Sequence, residues 1–301
     1  MSAVITVEGL RKSYGAVDAV RGVDLEVHEG EVFAFLGPNG AGKTTTVEIL
    51  EGYRDRSGGE VQVLGLDPAK ATGSWRSRIG IVLQTCDLQP MLTVRESVTL
   101  YAGYYPNPRP VDETIELVGL GADAGKRAGK LSGGQQRRLD VALALVGDPE
   151  LLFLDEPTTG FDPAARRGAW DMIANLRRLG KTVFLTTHYL DEAQALADRV
   201  AIIKDGRIVA EGRPGELGGR QTSTTTIRFR LPAATGTDQL PPTLSSRVLD
   251  AGDGLELVTE TAVADLALLC GWAVEQGVDL GPLEAVRPTL EDVYLDLTGT
   301  P

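Results

Sequence analysis

Residues Gly37–Thr45 read GPNGAGKTT, and this stretch decides the fold. It fits the pattern G-x-x-x-x-G-K-[ST], in which a glycine-rich turn joins a strand to a helix. The preceding residues, Glu31–Leu36, form an apolar run of strand length, and Thr45–Tyr53 continue as an amphipathic helix. Such a turn directs several backbone N–H groups and the positive end of the helix dipole at one point. The sequence therefore predicts a polyphosphate site. The alternative, a glycine turn that occurs by chance, would not explain why a strand precedes the loop and a helix follows it.

Two side chains of the loop have specific expected roles. Lys43 is expected to reach the β- and γ-phosphates of a nucleotide, and the Thr44 hydroxyl to ligate Mg²⁺. The loop residues expected to surround the phosphates are Gly37, Pro38, Asn39, Gly40, Ala41, Gly42, Lys43, Thr44 and Thr45.

A second stretch, LLFLDEP (Leu151–Pro157), places two acids at the end of a buried strand. Asp155 is expected to hold Mg²⁺ through its water shell, and Glu156 to polarise the water that attacks the γ-phosphate. An isolated pair of acids would more often be a solvated strand end. Downstream of a phosphate loop, the pair indicates a hydrolytic site.

Three further polar residues occur at ends of predicted strands. Gln84 can reach Mg²⁺ or the attacking water, although one strand-end amide does not establish this. His188 can sense the γ-phosphate beside it. Tyr14 can offer its ring to adenine or pack on the sheet as a strand-end aromatic, and the sequence leaves both readings open.

The stretch LSGGQ (Leu131–Gln135) opens a predicted helix, with Ser132 as its N-cap. Two glycines in the first turn cost about 1 kcal/mol each in helix stability. That cost is explained if a ligand approaches the helix start closely. The alternative is a glycine-rich helix start that binds no ligand.

The order of patterns predicts two domains in the 301 residues. Short strands at Val4–Val7 and Val23–Val27, separated by a polar turn, predict an antiparallel layer. Helical patterns from Thr93 onward predict a helical lobe at about residues 86–148, within an ATP-binding domain of residues 1–215. A Gly/Ser/Thr-rich linker (Gly212–Thr226) precedes a predicted small α+β domain at residues 224–301.

Composition narrows the function classes. A net charge of −12 disfavours a nucleic-acid partner, which needs a basic face. No stretch approaches the roughly 18 apolar residues of a membrane span, and no signal sequence is evident, so we expect no membrane crossing. Cys86 and Cys270 lie far apart and are expected to be free thiols rather than metal ligands.

The ordered set of motifs resembles the ATP-binding subunits of ABC transporters over about Val4 to Pro214. The resemblance implies the α/β P-loop NTPase fold of that family, with a mixed sheet, an antiparallel layer and a helical lobe. It implies ATP and Mg²⁺ as cofactors, with Thr44, Gln84 and Asp155 around the metal. The remaining implied roles are adenine stacking for Tyr14, catalysis for Glu156, His188 and Gln84, the signature for Leu131, Ser132, Gly133, Gly134 and Gln135, and a dimer contact for Asp162.

The same resemblance implies a head-to-tail dimer, in which Ser132 and Gly134 of one subunit face the γ-phosphate bound by the other. It also implies a separately encoded membrane permease that docks near residues 85–93, and a location on the cytoplasmic face of the membrane. The dimer can consist of two copies or of one copy with another ATPase.

The ending RPTLEDVYLDLTG resembles daunorubicin-resistance-type ABC ATPases, which implies an exporter of drugs, antibiotics or lipids. An importer subunit is the main alternative. A soluble ABC ATPase of ribosomes or DNA typically has two ATP lobes or a long coiled-coil insertion, and neither pattern occurs here. A phosphate-loop kinase or GTPase would have no use for LSGGQ, and no N-K-x-D guanine motif is present.

Overall fold

The computed structural model describes residues 2–83, 88–217, 225–232, 235–252, 254–286, 290 and 294. Two predicted features lie outside this part of the chain: Gln84 with Cys86, and most of the helix expected in the C-terminal ending. The chain divides into two compact units, Met1–Pro214 and Gly215–Pro301. Among the described residues, no helix combines the length and apolar character needed to cross a membrane.

The first unit alternates strands and helices. Its strands are β1 (Ala3–Tyr14), β2 (Val17–His28), β3 (Val32–Leu36), β4 (Gly58–Val63), β5 (Ile79–Val82), β6 (Leu151–Asp155), β7 (Thr182–Thr187), β8 (Arg199–Lys204) and β9 (Arg207–Gly212). Its helices are α1 (Lys43–Leu50), α2 (Gly73–Arg76), α3 (Val94–Ala102), α4 (Val111–Leu117), α5 (Gly133–Leu145), α6 (Pro163–Arg178) and α7 (Leu190–Leu196). Helices α3, α4 and α5 contact one another.

The central sheet has the order β5-β6-β7-β3-β8-β9, and it is parallel except for the antiparallel pair of β8 and β9. Its inner strands are apolar runs buried on both faces, as parallel strands covered by helices require. Phe184 contacts Phe33 and Phe153 from the neighbouring strands, with ring centroids 5.6 and 5.7 Å apart. Because β3, β6 and β7 run in parallel, the polar residues that follow them meet at one edge of the sheet.

A second sheet, of order β2-β1-β4, forms the predicted antiparallel layer. The prediction of a polar turn across the segment between Val7 and Val23 is wrong, because β1 and β2 form one long hairpin that turns at Gly15. The polar residues of that segment lie on exposed or half-buried positions, while Leu10 and Val20 are buried. Register shifts in the β1–β2 pairing accommodate the irregular alternation of apolar and polar residues in this segment.

The second unit is a small α+β structure with its own core. Its strands are β10 (Thr225–Phe229), β11 (Val248–Asp250), β12 (Leu255–Thr259) and β13 (Glu284–Val286), and its helices are α8 (Pro242–Ser245) and α9 (Ala262–Gln276). The sheet has the order β11-β12-β10-β13, and Ile227, Leu257 and Leu269 are among its fully buried residues. Strand β10 starts inside the segment predicted as linker. Together the two units confirm the predicted fold class.

Candidate functional site

The phosphate loop requires glycine at its last turn. Gly42 has φ of 104°, and a Cβ on it would lie 2.5 Å from the backbone oxygen of Ala19. Helix α1 begins immediately afterwards, and among the described residues no side chain caps its first turn. Its first backbone N–H groups are therefore available to an anion at the sheet edge.

Lys43 is a buried cation at this helix start, with 7% of its surface exposed. Its ammonium group donates hydrogen bonds to the carbonyl oxygens of Gly37 (2.6 Å) and Pro38 (3.1 Å). Burial lowers the pKa of Lys43, and the nearby carboxylates of Glu156 and Asp155 oppose this shift by favouring the charged form. The Lys43 ammonium group is thus hydrogen-bonded to its own loop and lies close enough to the Asp155 and Glu156 carboxylates to be stabilised in its charged form.

Thr186, in the strand next to the acids, orients both of them. Its hydroxyl donates a hydrogen bond to Asp155 Oδ1. The backbone N–H of Glu156 donates to the carbonyl oxygen and to the hydroxyl of Thr186, each at 3.1 Å. Glu156 has φ of 45°, a left-handed conformation that costs a non-glycine residue about 1–2 kcal/mol. The neighbouring strand therefore holds Glu156 in a strained conformation.

The Glu156 carboxylate is hydrogen-bonded at both oxygens. Oε1 lies 3.1 Å from Nδ1 of His188, and Oε2 accepts a hydrogen bond from the Thr159 hydroxyl at 3.1 Å. The Glu156 side chain is 14% exposed and that of His188 is 40% exposed. A positioned carboxylate beside an imidazole is an arrangement suited to taking a proton from a water molecule.

These groups surround one cavity of about 530 Å³. The described residues that line it are Ala19, Asn39, Gly40, Gly42, Lys43, Thr44, Thr45, Asp155, Glu156 and His188. Three predicted loop residues contribute differently: Gly37 and Pro38 bind Lys43 through their carbonyls, and Ala41 is buried behind the loop. The structure thus brings the loop, both acids and the histidine to one place.

Tyr14 lies at the end of β1, with 41% of its surface exposed. Lys12 Nζ lies 5.1 Å from its ring centroid, and the Arg54 guanidinium 5.3 Å. The ring is therefore partly open to solvent and flanked by cations, and adenine stacking by Tyr14 stays a prediction.

The signature residues and Asp162 lie elsewhere. The described lining of the cavity contains no residue of Leu131–Gln135. Ser132 and Gln135 form a capping box: the Ser132 hydroxyl accepts from the Gln135 N–H (3.3 Å), and the Gln135 side chain accepts from the Ser132 N–H (3.0 Å). Asp162 caps α6 by accepting from the N–H groups of Ala164 and Ala165 at 2.9 and 2.8 Å.

Sequence reasoning missed three residues at the site, which are Ala19, Thr159 and Thr186. The local signal for Thr186 is the pair Thr186 and Thr187 directly before His188. A hydroxyl at the end of one strand can donate a hydrogen bond to an acid at the end of the neighbouring strand. Within the described residues, no group of three His, Cys, Asp or Glu side chains could hold a metal ion by itself.

The chain matches the family pattern "ABC transporter" over residues 20–159 and an ABC-transporter-like C-terminal domain over residues 225–289. It is 38% identical to the Nod factor export ATP-binding protein I of Paraburkholderia xenovorans, over 99% of this chain and 97% of that protein. It is 37% identical to the daunorubicin/doxorubicin resistance ATP-binding protein of Streptomyces peucetius, over 99% and 93%. The dimeric post-hydrolysis structure of the cassette MJ0796, bound to ADP and Pi, matches 69% of this chain and 98% of its own at a TM-score of 0.62 and 27% identity.

Proposed function

This chain belongs to the ATP-binding subunits of ABC transporters, and on that premise we propose that it powers an exporter by hydrolysing ATP. The observation that carries the proposal is the convergence of Lys43, Asp155, Glu156 and His188 on one cavity. Both similar proteins named above are ATP-binding proteins of export or resistance systems, one for Nod factor and one for daunorubicin or doxorubicin. A lipid-like or drug-like cargo, carried by a separate permease, is therefore the cargo class we propose.

The chemistry divides among the cavity residues. The N–H groups at the start of α1 and the Lys43 ammonium bind the phosphates. Glu156, oriented by Thr159 and His188, accepts a proton from the attacking water, and His188 hydrogen-bonds the γ-phosphate. Tyr14 stacks on adenine.

The donor set fits Mg²⁺. Thr44 and Asp155 line the same cavity, and Mg²⁺ typically takes one or two protein ligands while keeping several waters. Bound there with ATP, the ion would neutralise charge on the β- and γ-phosphates. Gln84, outside the described residues, is a proposed third ligand from the resemblance alone.

The working form that we propose is a head-to-tail pair. The cavity of one subunit contains the phosphate loop and the acids but not LSGGQ, so a second subunit would have to supply that helix start. The MJ0796 cassette is a dimer in the structure that this chain resembles. Closure of such a pair around two ATP molecules would do work on a permease at the inner face of the membrane. Asp162, which caps α6, contributes to the dimer contact.

Glu156→Gln tests the assigned chemistry. The change keeps the size and polarity of the side chain but removes its capacity to accept a proton, so we expect hydrolysis to slow by about 10²–10³-fold or more with ATP affinity retained. The variant should accumulate as an ATP-bound dimer, which size-exclusion chromatography with ATP would detect. Glu60→Gln, on an exposed position of β4, is the matched control. Turnover of Glu156→Gln at the wild-type rate would contradict the assignment.

The partner is tested by affinity purification of the tagged chain from detergent-solubilised membranes, followed by mass spectrometry. A multi-span permease without a solute-binding protein is the expected result. A co-purifying solute-binding protein would indicate an importer, and ribosomal or DNA-bound partners alone would contradict the transporter assignment.

A further inference from the structure

Arg137 is a buried cation that the roles assigned above leave unused. It is the fifth residue of α5, counted from Gly133, and only 7% of its surface is exposed. Burying a guanidinium group is costly unless its N–H groups are hydrogen-bonded. Here they donate to three backbone carbonyls: Nη1 to Leu83, Nη2 to Asp155 (2.6 Å) and Nε to Pro157 (3.4 Å).

These carbonyls belong to two neighbouring strand ends. Leu83 directly follows β5, whereas Asp155 ends β6 and Pro157 comes two residues later. The carbonyls of Asp155 and Pro157 therefore lie on either side of Glu156, the residue with φ of 45°. The peptide group between Asp155 and Glu156 is held from both directions, since its C=O accepts from Arg137 and its N–H donates to Thr186.

We propose that Arg137 is a positioning residue for hydrolysis, which fixes the backbone of Glu156 so that the carboxylate points into the cavity. It is not among the described residues that line the cavity, and it acts only through Glu156. The planar fork of a guanidinium group suits this task, because its donors reach several fixed carbonyls at once, whereas a lysine ammonium is a compact point charge on a flexible stem.

The location of Arg137 adds a second consequence, which rests on the proposed function. Helix α5 begins at the signature residues, which in a head-to-tail pair would contact the ATP of the partner subunit. Arg137 lies about one turn further along the same rigid helix. A shift of α5 on binding the partner's nucleotide would therefore move Arg137 and its hydrogen bonds to the carbonyls on either side of Glu156. The catalytic base of one subunit would then respond to the nucleotide held by the other.

The test compares Arg137→Met, Arg137→Lys and the wild-type chain in steady-state and single-turnover hydrolysis of MgATP. Met keeps most of the apolar stem and removes the donors. Because a displacement of about 1 Å at a reacting group can cost about 10²-fold, we expect kcat to fall by about that factor. KM and the equilibrium affinity for ATP should stay within about threefold, since Arg137 does not line the cavity. Arg137→Lys should restore part of kcat.

The control is Arg95→Met, which removes an exposed arginine of α3 that pairs with Asp112, in the same helical lobe. It should leave kcat unchanged. The double variant Arg137→Met/Glu156→Gln should be no slower than Glu156→Gln alone, because both changes remove the same contribution.

Several outcomes would overturn the inference. One is an unchanged kcat in Arg137→Met, and another is a loss of ATP affinity as large as the loss of kcat. A third is a double variant whose loss of kcat equals the product of the losses in Arg137→Met and Glu156→Gln. If circular dichroism shows that Arg137→Met does not fold, Arg137→Lys is used for the test. Its kcat is expected to lie between those of the wild type and Glu156→Gln. A wild-type rate in Glu156→Gln itself would instead contradict the proposed function.

Discussion

The starts of α1 and α5 are both glycine-rich helix N-termini, but only the start of α5 has a side-chain cap. At α1 the residue before the helix is Gly42 in a left-handed conformation, and no described side chain caps the first turn. At α5 the Ser132–Gln135 capping box binds the first turn back onto itself, and Gln135 also donates to Asp123 at 2.7 Å. The first helix start faces the cavity of its own subunit, whereas in the second the Gln135 N–H is already bonded to the Ser132 side chain.

The difference shows that the same local composition can serve two distinct purposes. An uncapped helix start is an anion site in its own subunit, because its N–H groups lack other partners. A capped start keeps its shape alone and would meet a nucleotide only when another subunit brings one. Three substitutions test this contrast, and the one with the largest expected effect comes first.

Lys43→Met should have the largest effect, because it removes the only loop cation of the α1 start from the cavity described above. We expect kcat/KM for MgATP to fall by about 10³-fold, since a charge aimed at the transferring phosphate acts in a water-poor site. Steady-state hydrolysis and ATP-binding titrations measure it. Lys70→Met, on an exposed position, is the control, and unchanged binding and hydrolysis in Lys43→Met would refute the site.

Gly133→Ala separates the two helix starts. A Cβ at Gly133 would meet no atom within 4 Å, and alanine favours a helix over glycine by about 1 kcal/mol. The isolated subunit should therefore be as stable as the wild type or more so, and should bind ATP equally well. Hydrolysis should nevertheless fall by about 10–100-fold, because the added methyl group would obstruct the partner's nucleotide. Thermal melting, ATP affinity and kcat give the three readouts.

Gly42→Ala is the matched comparison for Gly133→Ala. Its Cβ would clash with the Ala19 backbone oxygen, and its φ is unfavourable for alanine, so both stability and ATP binding should decrease. If Gly133→Ala instead left hydrolysis at the wild-type rate, a close approach of the partner's nucleotide to Gly133 would be excluded.

A further prediction concerns the other end of α1, where Glu51 is 5% exposed. Burial raises the pKa of Glu51 from 4.5 to about 8, and the charges of Asp155 and Glu48 add to the shift. Between pH 4.5 and about 8 the Glu51 carboxyl stays protonated in the folded chain and is ionised in the unfolded chain. The contribution of Glu51 to the free energy of unfolding is therefore largest below pH 4.5 and is lost as the pH rises through 8. Glu51→Gln should remove that decline and stabilise the protein near pH 8.5 by on the order of 2–4 kcal/mol.

Urea unfolding of Glu51→Gln, Glu60→Gln and the wild type between pH 5 and 9 measures this effect. The free energy of unfolding of Glu60→Gln should follow the wild-type pH dependence, because Glu60 is exposed. Equal slopes for all three proteins would show that Glu51 is ionised in the folded state.

The local parts of the site were predictable because short patterns specify them. The phosphate loop is continuous in sequence, and Asp155, Glu156 and His188 each follow an apolar run that could only be a buried strand. Parallel pairing then brings those strand ends together. Tertiary packing decided the rest. The role of Thr186 depends on the register of β6 against β7, in which Asp155 pairs with Thr186.

Arg137 and Glu51 were unpredictable for a related reason. In sequence Arg137 is one of two adjacent arginines on a helix, and nothing local distinguishes the buried one from Arg138, which is partly exposed. Glu51 resembles a solvated helix end until the structure buries it. The β1–β2 hairpin was misread because its exposed positions carry the polar residues typical of a turn.

The capping box at the start of α5 also determines the polarity of what Ser132 can recognise. Its hydroxyl oxygen already accepts a hydrogen bond from the Gln135 N–H, which leaves the hydroxyl hydrogen to be given outward. A group that meets this serine with lone pairs gains a bond from that hydrogen, and the positive end of the α5 dipole favours such a group as well. The helix cap therefore selects for acceptors, so a phosphate oxygen is favoured there over an amine or an amide N–H.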